Sequence, residues 1–536
     1  MKKSVSVLIL TFLITFTASA KTYYVSNSGN DNNNGLSTSS PWKTLNKVSS
    51  FSGFVAGDQI LFNRGEVFYG SITINNAGSS GNPITLGAYG SGAKPIITGF
   101  TTVSSWTNLG GNIWESSSSV SSLSTLKMVS INSVNTPVGR YPNSGSYLTF
   151  QSHSGSTSIT SSSLTGSPNW TGADVVIRTY RWSWDKGTIK SQSGGTLTYS
   201  GGTVDPTSDG WGFFIQNDVR TLDAQNEWYY NPSTKKIRVY STSSPAKVQV
   251  ASLDALVNCN NKNYITIDNI AFTGANSSAL SSAGTHLTVT NCDISYAGVD
   301  GIQISSTSSY ADVEYNTITE CNNSGIASYG AGENNIVIKY NVVNKSGLIP
   351  GTTQKNFYSY GAINCSGDYS LVQYNQIDSS GYCGILFNGT NTKILNNFVN
   401  NSCIIKDDGG GIYTSGSQSS GKEITGNIVM NTIGNSSGTT TTDLLAEGIF
   451  LDDNVHDTKV LNNSIANCGS AGLLLHNSYN ITIGNNTVYN SKGLGFTRSA
   501  FMIQGDKSGS SVRNLSVKNN IFFAKDATQF CFFYYN

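Results

Sequence analysis

Ten asparagines open Asn-x-aliphatic triplets, or near variants of them, along the second half of the chain: Asn269, Asn291, Asn316, Asn341, Asn375, Asn397, Asn427, Asn463, Asn486 and Asn520. The tightest spacings are 22, 23 and 25 residues, and the longer ones of 30 to 36 residues leave room for insertions. A second landmark, Gly followed by a small or aliphatic residue, keeps step with the first. Gly301, Gly325, Gly361, Gly384, Gly411, Gly448 and Gly472 each precede one of these asparagines by 13 to 16 residues. Between the landmarks lie short β-branched runs such as ITIDNIAF, LTVTNCDI and ADVEYNTI, separated by Gly, Asn and Ser, with no helical period. A unit of ~20–25 residues cannot bury its own apolar face, so the units must stack on one another.

A right-handed parallel β-helix meets these demands with one coil per repeat and neighbouring strands ~4.8 Å apart. The predicted fold is therefore all-β, a solenoid with aliphatic residues filling its lumen and asparagines stacked in its turns. A leucine-rich horseshoe is the rival repeat fold, but its leucine pattern is missing. Residues 251–536 form the main helix in this reading, with 21–100 as an N-terminal cap and first coils. Residues 101–250 break the rhythm with tryptophan-rich segments, RTYRWSWDKGTI and DGWGFFIQNDVRTL, and read as an inserted β-rich domain.

Lys2 and Lys3, the apolar run Val5 to Phe16 and the small residues Ala18-Ser19-Ala20 describe a secretory leader cleaved near Ala20. The expected location is thus outside the cytoplasm, extracellular or periplasmic. No later stretch approaches ~18 uninterrupted apolar residues, so no membrane span is expected. Without the two leader lysines the chain carries 30 basic and 31 acidic side chains, which gives no electrostatic footprint for nucleic acid. All eight cysteines fall at or after Cys259 without close pairs. Cys321 and Cys468 each stand four residues before a Gly-Ile or Gly-Leu pair, a register that fits buried free thiols better than a disulfide framework or a metal site.

Two segments resemble known proteins. KTYYVSNSGNDNNNGLSTSSPWKTLNKV, with GDQILFNRGEVFYGSITI and NPITLGAYGSGAKPIITG, is similar to the opening of secreted carbohydrate-active β-helix proteins of the pectate-lyase-like superfamily. NEWYYNPSTKKIRVYS resembles the Glu-Trp-Tyr hairpin of a β-domain inserted between early coils of β-helix glycoside hydrolases of the β-xylosidase and α-L-fucosidase type. Their usual version begins with Gly and carries Asp after the Tyr, where this chain has Asn226 and Asn231. The resemblance implies a secreted hydrolase acting on a poly- or oligosaccharide.

The chain is only 12% charged, yet EGIFLDDNVHD at 447–457 and DDGGGIYTSG at 407–416 each hold a knot of carboxylates. Glu447 lies one residue before Gly448 and Asp408 three before Gly411. One coil spacing combined with two residues along a strand separates their Cα atoms by about 8 Å. Long side chains can then close to the ~5–9 Å that paired glycosidase carboxyl groups use. Asp452 and His476 each follow their Gly by four residues and should stack directly, with Asp407, Asp453 and Tyr413 beside them. Clustered carboxylates raise one another's pKa, so one can stay protonated as an acid while its neighbour is ionised. Carried over from the resemblance, Asp408 is the nucleophile or base and Glu447 the acid/base, with Asp452 as the alternative.

Other roles compete for several of these residues. Asp and Asn tolerate turn backbone angles, the preferred reading of Asp453 and Asp457, and Asp407 is balanced between turn and site. Trp182, Trp184 and Trp211 either stack on sugar faces or fill the core of the insertion. His476 either binds substrate or bonds Asp452, while His286 has no partner in its register and reads as structural. The loop GNSSGTTTTDLLAE at 434–447 interrupts the coil just before Glu447, as loops walling a cleft do.

The chemistry needs no metal or cofactor. A polysaccharide lyase of the same fold is the alternative enzyme, with Ca²⁺ as cofactor and a Lys or Arg base. Lys406 lies beside Asp407 and Asp408, Arg498 lies some way downstream, and a basic cluster for a polyanionic substrate is lacking. A non-catalytic carbohydrate-binding solenoid is the third reading. A monomer is expected. The apolar ending QFCFFYYN predicts either a fragment or a last strand that folds across the open end as a cap.

Overall fold

The computed structural model describes residues 19–201, 208–305, 308–330, 332–353, 358–493, 497–505 and 512–535. The leader expected from the sequence lies outside these residues except for Ser19 and Ala20. Three long parallel sheets of 13, 12 and 12 strands run the length of the molecule, each coil adding one strand to each sheet. The chain is a right-handed parallel β-helix. Its register is strict: Val313, Ile338, Val372, Ile394, Ile424, Val460 and Ile483 pair one above another. All seven are fully buried in one continuous lumen core, which supplies the apolar burial that no single coil can.

The two sequence landmarks have separate physical causes. From Asn316 to Asn520 each ladder asparagine donates its amide Nδ2 to the Oδ1 of the asparagine one coil on, at 2.9–3.0 Å. Its backbone N–H donates to that same oxygen. The glycines mark a corner where the backbone presses against the lumen. A Cβ on Gly384, Gly411, Gly448 or Gly472 would overlap Val399, Val429, Ile465 or Val488.

Asn269 and Asn291 do not belong to the ladder. Strand pairing puts Cys292 in the ladder position, its N–H donating to Asn316 Oδ1 at 2.9 Å. Asn269 and Asn291 stand one residue earlier, at the left-handed corner that Tyr315, Tyr340 and Tyr374 occupy in the following coils. His286 does have partners in its register: its ring stacks between Tyr264 and Tyr310 at 4.2 and 4.9 Å. Seven cysteines are buried free thiols, and Cys531 is free and exposed.

At the N-terminal end a short helix, Leu45–Ser50, is capped by Thr44 and buries Leu45 and Val48. Beside it Trp42 stacks on Tyr23 at 4.8 Å, closing the lumen. Residues 100–251 form three antiparallel sheets of 4, 8 and 4 strands. Their departure leaves no gap, because Ile84–Tyr89 pairs directly with Ile265–Asp268 across the insertion. The last strand, Phe530–Tyr535, adds to Ser499–Gln504 as an ordinary parallel rung and does not cross the end as a cap. Among the described residues no helix is long and apolar enough to cross a membrane.

Candidate functional site

The outer face of one sheet turns a repeat of the sequence into a pocket. Leu386, Tyr413, Phe450, Leu474 and Met502 pair in succession on five consecutive strands and form an apolar stripe. Two residues further along each strand runs a polar stripe, in which Ser415 pairs with Asp452 and His476 with Gln504. Between these stripes the alternate side chains, among them Ile449, Leu451, Leu473 and Leu475, fill the lumen.

Simple alternation would send Glu447 into that lumen beside Ile449. It does not. The pairing of Gly409–Ser415 with Ala446–Asp452 skips Gly411 and Gly448, a break that turns Glu447 outward. Glu447 and Asp452, five residues apart on one strand, thus line the same pocket of about 650 Å³, together with Asp408.

The insertion and a long loop complete the walls. A hairpin formed by Asp174–Tyr180 and Ser183–Ser193 docks on the solenoid and presents Trp182 to the pocket, its ring stacked on Tyr180 at 4.5 Å. Asp443 and Leu445 come from the 434–447 loop, and Tyr358 and Tyr382 from the preceding coils. Among the described residues that line it there is no lysine or arginine.

The acids differ sharply in environment. Glu447 is 1% exposed, and its Oε2 has no hydrogen-bond partner. Burial, reinforced by nearby Asp408, pushes its carboxyl well above the ordinary range. Asp408 is pushed up to about 7 by burial and by its neighbours Asp452 and Asp407, against the opposing pull of Arg181 and His476. Asp452 is instead surrounded by donors. Tyr413 donates its hydroxyl to Oδ2 at 2.8 Å, and His476 Nδ1 lies 2.6 Å from Oδ1. Asn477 Nδ2 lies 3.2 Å from His476 Nε2, while the Nδ1 side of the ring faces Asp452.

Several sequence expectations need correction. Asp407 does not reach the pocket; it is fully buried and ion-paired to Arg178 and Arg181. Trp184 is 2% exposed, donates its ring N–H to the carbonyl of Ile405 at 3.1 Å and stacks on Tyr147 at 5.2 Å, so it is core. Trp211 packs against the core of the eight-stranded sheet, away from the pocket. Asp453 has the left-handed backbone of a turn residue, φ 44°, and also lines the pocket, while Asp457 stays at the surface bonded to His456 and Asn480. Leu474 and Met502 were within reach of the sequence, since they continue the column of Tyr413 and Phe450. Tyr382, Asp443 and the arginines that pair with Asp407 were not, because no repeat register leads to them.

Asp452, Asp453 and His476 hold ligand atoms within 4.8 Å of one another. An imidazole already hydrogen-bonded to one of the two carboxylates suits Ca²⁺ poorly, since that ion takes six to eight oxygen ligands.

Comparison with known proteins gives the same architecture. A curated relative, lacto-N-biosidase of Bifidobacterium longum subsp. longum, is 41% identical over 90 residues, 16% of this chain, and the match spans 6% of that protein's length. Among solved structures, one described as a glycoside hydrolase superimposes with a TM-score of 0.62 at 14% identity, covering 94% of this chain and 96% of the other. The GH136 lacto-N-biosidase of Eubacterium ramulus gives 0.46 at 14% identity, covering 94% and 67%. The family description "Right handed beta helix region" matches residues 237–362 and 361–534, more than half of the sequence, and the chain belongs to that family.

Proposed function

We propose that this chain is a carbohydrate-active enzyme that hydrolyses glycosidic bonds in the pocket built around Asp408, Glu447 and Asp452. One observation carries the reading: three carboxyl groups share one pocket, with burial raising Asp408 and Glu447 while Asp452 is held by hydrogen bonds from Tyr413 and His476. Glycosidic cleavage needs one carboxylic acid to protonate the leaving oxygen and one carboxylate to act as base or nucleophile. Asp408, held near 7, is the group suited to exchange a proton at neutral pH. Asp452, fixed by Tyr413 and His476, is the group placed to act as base or nucleophile. This inverts the order expected from the resemblance, in which Asp408 was the base. Glu447 at the pocket floor, protonated by burial, serves as a hydrogen-bond donor to the sugar.

The apolar stripe from Leu386 to Met502 and the ring of Trp182 supply faces for the C–H side of a pyranose. Among the described residues the lining contains no cationic side chain to hold a uronate carboxylate, which favours hydrolysis over lyase chemistry. Lys406 donates to the carbonyl of Ser359 at 2.9 Å behind the pocket, and Arg498 bonds Gly493 and Thr528. The glycosidase names borne by two of the relatives agree with hydrolysis, and the leader sequence agrees with export.

The test is a screen of neutral oligosaccharides and aryl glycosides scored by released reducing ends, with Asp408→Asn and Asp452→Asn beside the wild type. Each variant should lose about 100- to 10,000-fold in kcat while remaining folded. Binding without turnover in the wild type assigns the chain to the non-catalytic class. Products absorbing near the ultraviolet edge assign it to the lyases.

A further inference from the structure

Asp408 sits in the left-handed region, φ 58°, a conformation that aspartate tolerates better than most residues, and here its surroundings tie it down. Those surroundings converge on its neighbour. Asp407, fully buried, receives the guanidinium of Arg181 and, at 3.3 Å, that of Arg178, both carried by the inserted hairpin. Arg181 also donates to Thr441 Oγ1 at 2.7 Å, to Asp443 Oδ1 at 3.2 Å and to the Asp443 carbonyl at 2.7 Å. Arg178 donates to the carbonyls of Ile405 and Asn435 at 2.8 and 2.9 Å. The backbone N–H of Asp407 returns to the carbonyl of Arg181, and that of Asp408 to the carbonyl of Leu445. On the far side Tyr382 donates its hydroxyl to the Asp408 carbonyl at 2.7 Å. Three segments distant in sequence are thus tied at the one peptide that aims Asp408.

We infer that Arg181 is a positioning residue for the reaction, acting through Asp407 and Asp443 to hold Asp408 and the pocket rim in place. The inference rests on the glycosidase reading above. It gives the insertion a task in the chemistry: its hairpin delivers Trp182 to the wall and, through the adjacent arginine, holds an acid that the solenoid alone would let relax. The charged and titratable groups around Asp408 are Asp407, Asp452 and Glu447 on the acidic side, Arg181 and His476 on the basic side, and the phenols of Tyr382 and Tyr413.

The test compares Arg181→Gln, Arg181→Lys, Asp407→Asn and the Arg181→Gln/Asp407→Asn double variant, each checked for folding by thermal melting. Arg181→Gln should lower kcat about 100-fold, the cost of misplacing a reacting group by an ångström, while KM moves less than about 3-fold. Arg181→Lys, which keeps the charge but not the fork, should fall between it and the wild type. The double variant should lose less than the product of the two single losses, since the two residues share the Arg181–Asp407 contact. An unchanged kcat, a loss confined to KM, or additive losses overturn the inference. A crystal structure of Arg181→Gln provides a readout independent of turnover: Asp408 should leave its positive φ, and retention of that conformation overturns the inference. If the wild type cleaves no glycoside, the glycosidase reading falls while this structural readout still decides the clamp.

Discussion

Burying a carboxyl group costs far more free energy when it is charged than when it is neutral, so Asp408 ties stability to pH. Its value is raised from 3.8 to about 7 in the folded chain. The folded state therefore holds a proton that the unfolded state has released between these limits. The stabilisation is complete below about pH 4 and is lost as pH rises through about 7, a difference on the order of 4 kcal/mol. Asp408→Asn should flatten the fall in melting temperature between pH 4 and 8 and should melt above the wild type at pH 8. A variant whose pH dependence matches the wild type would show that Asp408 is solvated. Asp452 teaches the complementary lesson. Its stacking with His476 was legible from two equal offsets, while its bond from Tyr413, two residues out of register on the neighbouring coil, was not.

Strands in this fold are short and individually weak, so the corners decide register. Gly448 shows how much one of them controls. A Cβ there would overlap Ile465 and the carbonyl of Gly472 on the next coil, and the same corner turns Glu447 out of the lumen. Gly448→Ala should cost about 2–3 kcal/mol in urea unfolding, through overpacking that the closed lumen cannot relieve. Activity should fall with it, because Glu447 moves as the corner opens. Equal stability with full activity would mean that the corner is softer than its contacts suggest. The ladder explains where pattern reading slipped. Asn269 and Asn291 look like its first members, but asparagine suits both the ladder position, for its amide, and the preceding left-handed corner, for its backbone tolerance. One residue type with two uses blurs the register by a single position.

At the scale of the whole molecule the site belongs to neither the solenoid nor the insertion alone. Trp184 is central to their union: it stacks on Tyr147, bonds Ile405 and lies against Gly438 of the 434–447 loop. Trp184→Ala should lower unfolding free energy by about 3–5 kcal/mol through the cavity left behind. Its local signature should be faster amide exchange across residues 434–445, with protection unchanged along the asparagine ladder. Uniform loss of protection along the solenoid would instead show that the insertion stabilises the fold globally.

By itself the sequence determined the coil, because a period of stacked aliphatic residues, asparagines and corner glycines has one closed solution for burying apolar faces and pairing backbone groups. It also marked the coils that carry the acids, since equal offsets from a repeated glycine become neighbours in space. Tertiary structure alone decided which acids face the pocket and which become ion pairs. Asp407 and Asp408 are adjacent in the chain, yet one is neutralised by arginines 226 or more positions away and the other is left among carboxylates. No local pattern encodes that difference, because it depends on where an inserted hairpin comes to rest.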